Sequence, residues 1–106
     1  MAWITLTIAG LFEVCWALGL KYSEGFTNLR WSAFTIVTLA ASMILLAQSL
    51  RTLPIGTAYA IWTGIGAVGT AIVGMLLFNE PRTALRLMCI GLIVAGIVGL
   101  KLASSE

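Results

Sequence analysis

Residues 2–20, AWITLTIAGLFEVCWALGL, form an apolar run broken by one acid, Glu13, near its middle. The length suits a helix that crosses a bilayer, which takes about 20 predominantly apolar residues. A carboxylate at that depth is costly, roughly 2.5–3.5 kcal/mol on insertion scales for an Asp-like charge. No Lys, Arg or His shares the run, and the chain contains no His at all. A carboxyl group in such a place survives by taking up a proton or by holding a cation from outside the protein. A group that does either, but not both at once, is the outline of a proton-coupled cation carrier.

The rest of the chain has the same character. Its 106 residues are 60% hydrophobic and only 9% charged, against about 25% charged in soluble domains. Residues 31–50 and 55–78 contain no Asp, Glu, Lys or Arg, and each is long enough to span. Between Arg86 and Lys101 the apolar stretch is shorter. Long basic side chains lay their stems along apolar surface and reach the headgroups, which extends this span to about 83–102. The expectation is an all-α membrane protein: one domain over residues 1–106, with transmembrane helices at about 2–20, 31–50, 55–78 and 83–102. No basic n-region or small-residue cleavage site follows Met1, so a cleaved leader is not expected. The net charge of +2 is small and scattered and does not point to nucleic acid. Cys15 and Cys89 fall inside spans with no metal-site spacing and read as small apolar residues. With no metal cluster, nucleophile–base pair or phosphate loop, neither an enzyme nor a bound cofactor is expected.

Between the spans, residues 23–28 read as a turn, Pro54 suits a first helical turn, and Pro81 reads as the opening of helix 4. Helix 3 carries Gly56, Gly64, Gly66, Gly69 and Gly74. Small residues let helices approach closely, and glycine also lowers resistance to bending, here around residues 64–69. Gly91, Ala95 and Gly99 make a small-residue ridge on helix 4, suited to helix association. Loop charge is nearly balanced: Lys21, Arg30, Arg82 and Arg86 lie on one side, with Arg51, Lys101 and the terminal amine on the other. Two readings follow, a single orientation set by the slight excess, or insertion both ways and an antiparallel homodimer. A bundle of four helices has almost no room for a chamber, whereas two bundles would enclose one and bring two Glu13 groups together.

Ala9, Gly10, Trp16 and Ala17 lie three or four residues from Glu13 and share its face. Tyr59, Trp62, Thr63 and Gly66 share a face of helix 3, and Thr35, Ser42 and Ser49 form a hydroxyl stripe on helix 2. Each has a plainer role: Trp3, Tyr22, Trp31 and Tyr59 suit an aromatic belt, and Ser42 could bond its own backbone. An aromatic-lined acid binds positive charge by Coulomb attraction and cation–π contact. A planar guanidinium adds two parallel hydrogen bonds to one carboxylate, and hydroxyls at Ser42 and Tyr59 would orient such carboxylates. A bulky quaternary ammonium would need a roomier, greasier pocket.

Residues 10–27, GLFEVCWALGLKYSEGFT, resemble the first-helix signature of the small multidrug resistance family. Residues 54–66, PIGTAYAIWTGIG, are similar to its third-helix signature, and 91–97, GLIVAGI, to its dimerising fourth helix. Trp16 after the acid and Thr63-Gly64 after Trp62 look like the guanidinium-exporter branch. The resemblance covers essentially the whole chain. It implies an antiparallel, dual-topology homodimer in the bacterial inner membrane that exchanges protons for guanidinium, driven by the proton gradient alone. Glu13 would be the shared proton and cation site. Trp16, Ser42, Tyr59 and Trp62 would line the pocket, with Gly10 leaving space for it. Gly64 and Gly66 would let helix 3 bend, and Gly91, Ala95 and Gly96 would lie at the dimer seam. A broad quaternary-ammonium exporter and a non-transporting scaffold subunit are the alternatives.

Overall fold

A computed structural model of the chain describes residues 2–103. Its elements are α1 (Ala2–Tyr22), α2 (Leu29–Ser49), α3 (Ile55–Leu77) and α4 (Ala84–Ala103). All four helices are long and apolar enough to cross a membrane. At 1.5 Å per residue, helices of 20–23 residues span about 30–35 Å, the thickness of a hydrocarbon core.

The helix ends follow from local hydrogen bonding. Past α1 the chain turns through positive φ at Glu24, Gly25 and Phe26. Ser23 Oγ braces that turn, donating to the Leu20 carbonyl (2.8 Å) and accepting from the Phe26 amide (3.1 Å). Asn28 caps α2 by accepting from the Trp31 amide at 3.3 Å, so α2 begins two residues before the apolar run suggests. Pro54 is the N-cap of α3 rather than a residue of its first turn. Pro81 lies outside α4, whose start is instead set by Thr83 Oγ1 accepting from the Arg86 amide at 3.2 Å. Lys101 Nζ lies 5.3 Å from the centre of the Trp3 ring on α1.

Packing depends on missing side chains. A β-carbon at Gly10 would come within 2.6 Å of Ile65, one at Gly69 would strike Val14, and one at Gly19 would strike Thr35. Thus α1 sits tightly between α2 and α3. The seam register rises together, from Gly10 beside Ile65 to Val14 beside Gly69, so α1 and α3 run parallel and α2 returns between them in sequence. The hydroxyl stripe on α2 faces this packing, with Thr35, Ser42 and Ser49 all buried. Thr35 and Ser49 donate to carbonyls of their own helix at 2.7 Å, as hydroxyls without water do. The core is small: Leu6, Ala9, Leu46, Leu53, Ala58, Ile61 and Trp62.

Helix α4 stands apart. Its backbone lies against α3, with Lys101 reaching Trp3 of α1, and it buries none of its residues. Its foothold is Gly64, where a β-carbon would lie 2.9 Å from Ile97. The Cα envelope measures 44 × 35 × 17 Å. Such a thin slab holds no internal chamber. Helix α3 runs unbroken through residues 64–69. The glycines there are occupied as contact points.

Gly19→Ala is expected to destabilise the α1–α2 pair by about 1–3 kcal/mol, the usual cost of overpacking. Detergent-to-SDS titration followed by circular dichroism reads this, and adding Thr35→Ala should restore part of the loss.

Candidate functional site

Glu13 lies midway along α1, where that helix crosses α3 at its smallest residue. The carboxylate occupies the space above Gly66: a β-carbon there would collide with Glu13 Oε1. Gly66 is therefore a cradle for the acid in this structure. Glu13 Oε1 is shielded from solvent and has no hydrogen-bond partner among the described residues. The one ion pair among those residues joins Arg86 in the first turn of α4 to Glu80 on the preceding loop at 2.8 Å, away from Glu13 in sequence. Among the described residues, no basic group pairs with Glu13.

Behind the acid, three helices are tied through one hydroxyl. Trp62 Nε1 donates to Ser42 Oγ at 2.9 Å, and Ser42 Oγ donates to the Ala9 carbonyl at 2.7 Å. Ala9 is four residues before Glu13, so its carbonyl also receives the Glu13 amide in the regular helix ladder. Ser42 has one proton to give, and that proton goes to Ala9. Within this chain Ser42 therefore holds the backbone beneath Glu13 instead of contacting the carboxylate, and it does not bond its own helix. Ser42 and Trp62 are 0% and 4% exposed, so both lie buried behind the acid as the floor of the site.

The remaining candidates are distributed unevenly. Trp16 packs partly buried against the core, one turn after Glu13, with its indole N–H shielded and unpartnered among the described residues. Tyr59 is 55% exposed and leans on Trp62, ring centres 5.4 Å apart. It lies seven residues from Gly66, about 10 Å of helical rise, so it does not reach the Glu13 level within one chain. The space that Gly10 leaves is filled by Ile65 rather than left open, and Gly64 is covered by Ile97 and Ile93. Gly91, Ala95 and Gly96 lie exposed on α4, and a β-carbon at Gly91 or Gly96 would meet nothing within 4 Å. Ile65, Val14 and the Ala9 carbonyl matter to the site but carry no polar signal that spacing could reveal.

Chemically, this is a shielded carboxyl group with no resident cation, a flat indole one turn away and a rigid hydrogen-bonded floor. It can hold a proton or a monovalent organic cation. Among the described residues no group of His, Cys, Asp and Glu could hold a metal ion.

Removing the relay tests the floor. Ser42→Ala leaves the Trp62 N–H buried without an acceptor and should cost about 1–2 kcal/mol in SDS titration. Combined with Trp62→Phe, the loss should be clearly less than the sum of the two single losses, as for one shared interaction.

Known proteins place this architecture. The model of the family described as Small Multidrug Resistance protein matches residues 1–93. A guanidinium exporter of Yersinia pestis is 62% identical over 104 residues, covering 98% of this chain and 100% of that protein. Guanidinium exporters of Salmonella typhimurium strain LT2 and Citrobacter freundii are 60% and 59% identical over the same length, each covering 98% of this chain and 99% of the relative. With a shared family model, near-complete overlap and four membrane-spanning helices, this chain belongs to the small multidrug resistance family of membrane transporters.

Proposed function

We propose that this protein exports guanidinium and small substituted guanidinium cations across the bacterial inner membrane in exchange for protons. The observation that carries the reading is the Glu13 carboxylate, seated on Gly66 in mid-span without a partner among the described residues. The naming of its close relatives as guanidinium exporters selects the cation. A guanidinium donates two parallel N–H bonds to one carboxylate, and the face of Trp16 offers a cation–π wall beside it.

The working unit in this reading is an antiparallel homodimer. The open small-residue face of α4 at Gly91, Ala95 and Gly96 supports it, as does the thinness of one chain. Two copies enclose the chamber that one lacks and bring both Glu13 groups to it. Tyr59 of one chain, exposed and out of reach of its own Glu13, is then free to serve the shared chamber. Flexure at Gly64 and Gly66 lets α3 differ between the two copies.

Exchange follows from electrostatics. Cation arrival displaces protons from the carboxyls, and either load lets the dimer turn its opening to the other face. An empty dimer with bare carboxylates carries charge through a low-dielectric region and is too costly to turn. Coupling rests on that cost, and no resident cofactor is involved.

Three outcomes test the reading. Glu13→Gln, which keeps shape but cannot ionise, should abolish proton-driven guanidinium flux in proteoliposomes and guanidinium binding in detergent; retained binding would falsify it. In the wild type, protons and guanidinium compete, so apparent affinity should fall as pH falls, by about tenfold per pH unit for each proton displaced. Gly66→Ala places a methyl on the carboxylate and should weaken guanidinium binding strongly.

A further inference from the structure

A cleft of about 320 Å³ opens along the α1–α3 seam on the loop side of Glu13. Its walls include Ala17, one turn beyond the acid, and Ala67 and Thr70, which follow the Gly66 cradle. Its mouth carries Lys21, Glu80 and Arg86. A passage for cations that ends between a lysine and an arginine is electrostatically odd, because like charge at a low-dielectric opening repels the incoming ion.

Both positive charges are tied down. The Arg86 guanidinium binds Glu80 Oε1 at 2.8 Å, both side chains remaining about one-third to two-fifths exposed. Lys21 Nζ lies 5.0 Å from the centre of the Phe78 ring. Glu80 is itself held inward, since its carboxylate occupies the space where Gly74 lacks a β-carbon. Arg82 turns away to the Met75 carbonyl at 2.8 Å. The loop before α4 therefore places its carboxylate in the cleft and directs one arginine away from it.

Resting on the exchange reading above, we infer that the cleft is the path between Glu13 and the membrane face, and that Glu80 is a specificity-determining residue at its mouth. Glu80 neutralises Arg86 and makes the opening passable to small organic cations. In an antiparallel dimer one such mouth opens on each face, so the same residue acts on entry and on release.

The test compares guanidinium transport kinetics of Glu80→Gln, Arg86→Gln and Lys21→Gln with wild type in proteoliposomes, at low and high salt. Glu80→Gln should raise KM, while Arg86→Gln and Lys21→Gln should lower it, each by about three- to tenfold at low salt. High salt should shrink all three shifts, and guanidinium affinity of the detergent-solubilised protein should move less than KM. A merely structural ion pair predicts the contrary: Glu80→Gln and Arg86→Gln shift KM in the same direction, without salt dependence. That result overturns the inference. Lys21→Gln takes no part in the pair and keeps the test decisive if either pair variant fails to assemble; an unchanged KM there also overturns it. Wild type that carries no guanidinium defeats the exchange reading itself. Wild type that carries it, with unshifted variants, defeats only the mouth assignment.

Discussion

One hydroxyl proton ties together the parts of this structure that matter. Ser42 accepts from Trp62 and donates to the Ala9 carbonyl, joining α3, α2 and α1 within a single turn of Glu13. In a soluble protein water could replace either bond. In hydrocarbon the alternative is an orphaned indole N–H and an orphaned hydroxyl, each costly. The relay therefore fixes the rotation of α1 about its axis, and that rotation sets the acid over Gly66 rather than toward lipid. The placement of Glu13 depends on an interaction that never touches its carboxylate.

The bilayer also explains where binding strength between helices comes from. Lipid tails are as apolar as leucine, so burying leucine against leucine gains little, and close packing at small residues takes over. Gly10, Gly19, Gly66 and Gly69 each surrender a side chain to a neighbour on another helix. The many exposed large apolar residues, among them Leu29, Leu85 and Leu102, are simply facing their solvent. Helix α4, which buries none of its residues, is the element most available for a second copy.

Charge is handled differently at the two depths. Near the loops, aromatic rings and acids absorb cations: Lys21 lies over Phe78, Lys101 over Trp3, and Arg86 pairs with Glu80. In mid-span no such partner is supplied to Glu13. The contrast separates charges held by a neighbour within the chain from one acid that has none among the described residues.

Hydropathy and the solitary acid were legible in the chain itself. Four apolar runs, a carboxylate without a basic neighbour and a motif from Gly10 to Thr27 determine a four-helix membrane protein with Glu13 at its centre, since transfer free energy is additive along a chain. Observed helix ends differ from the expected ones by at most two residues, most at the end of α1 and at the start of α2, where the Asn28 cap overrides hydropathy. Partner choice was not legible. Whether a glycine is a gap, a hinge or a seat depends on what approaches it, and only the packed structure gave Gly10 to Ile65, Gly64 to Ile97 and Gly66 to the carboxylate. Likewise spacing put Ser42 on a hydroxyl stripe, but its proton's destination was a backbone carbonyl on another helix, a contact between residues 33 positions apart. One-dimensional pattern records which groups must avoid lipid; three-dimensional packing decides which of them meet.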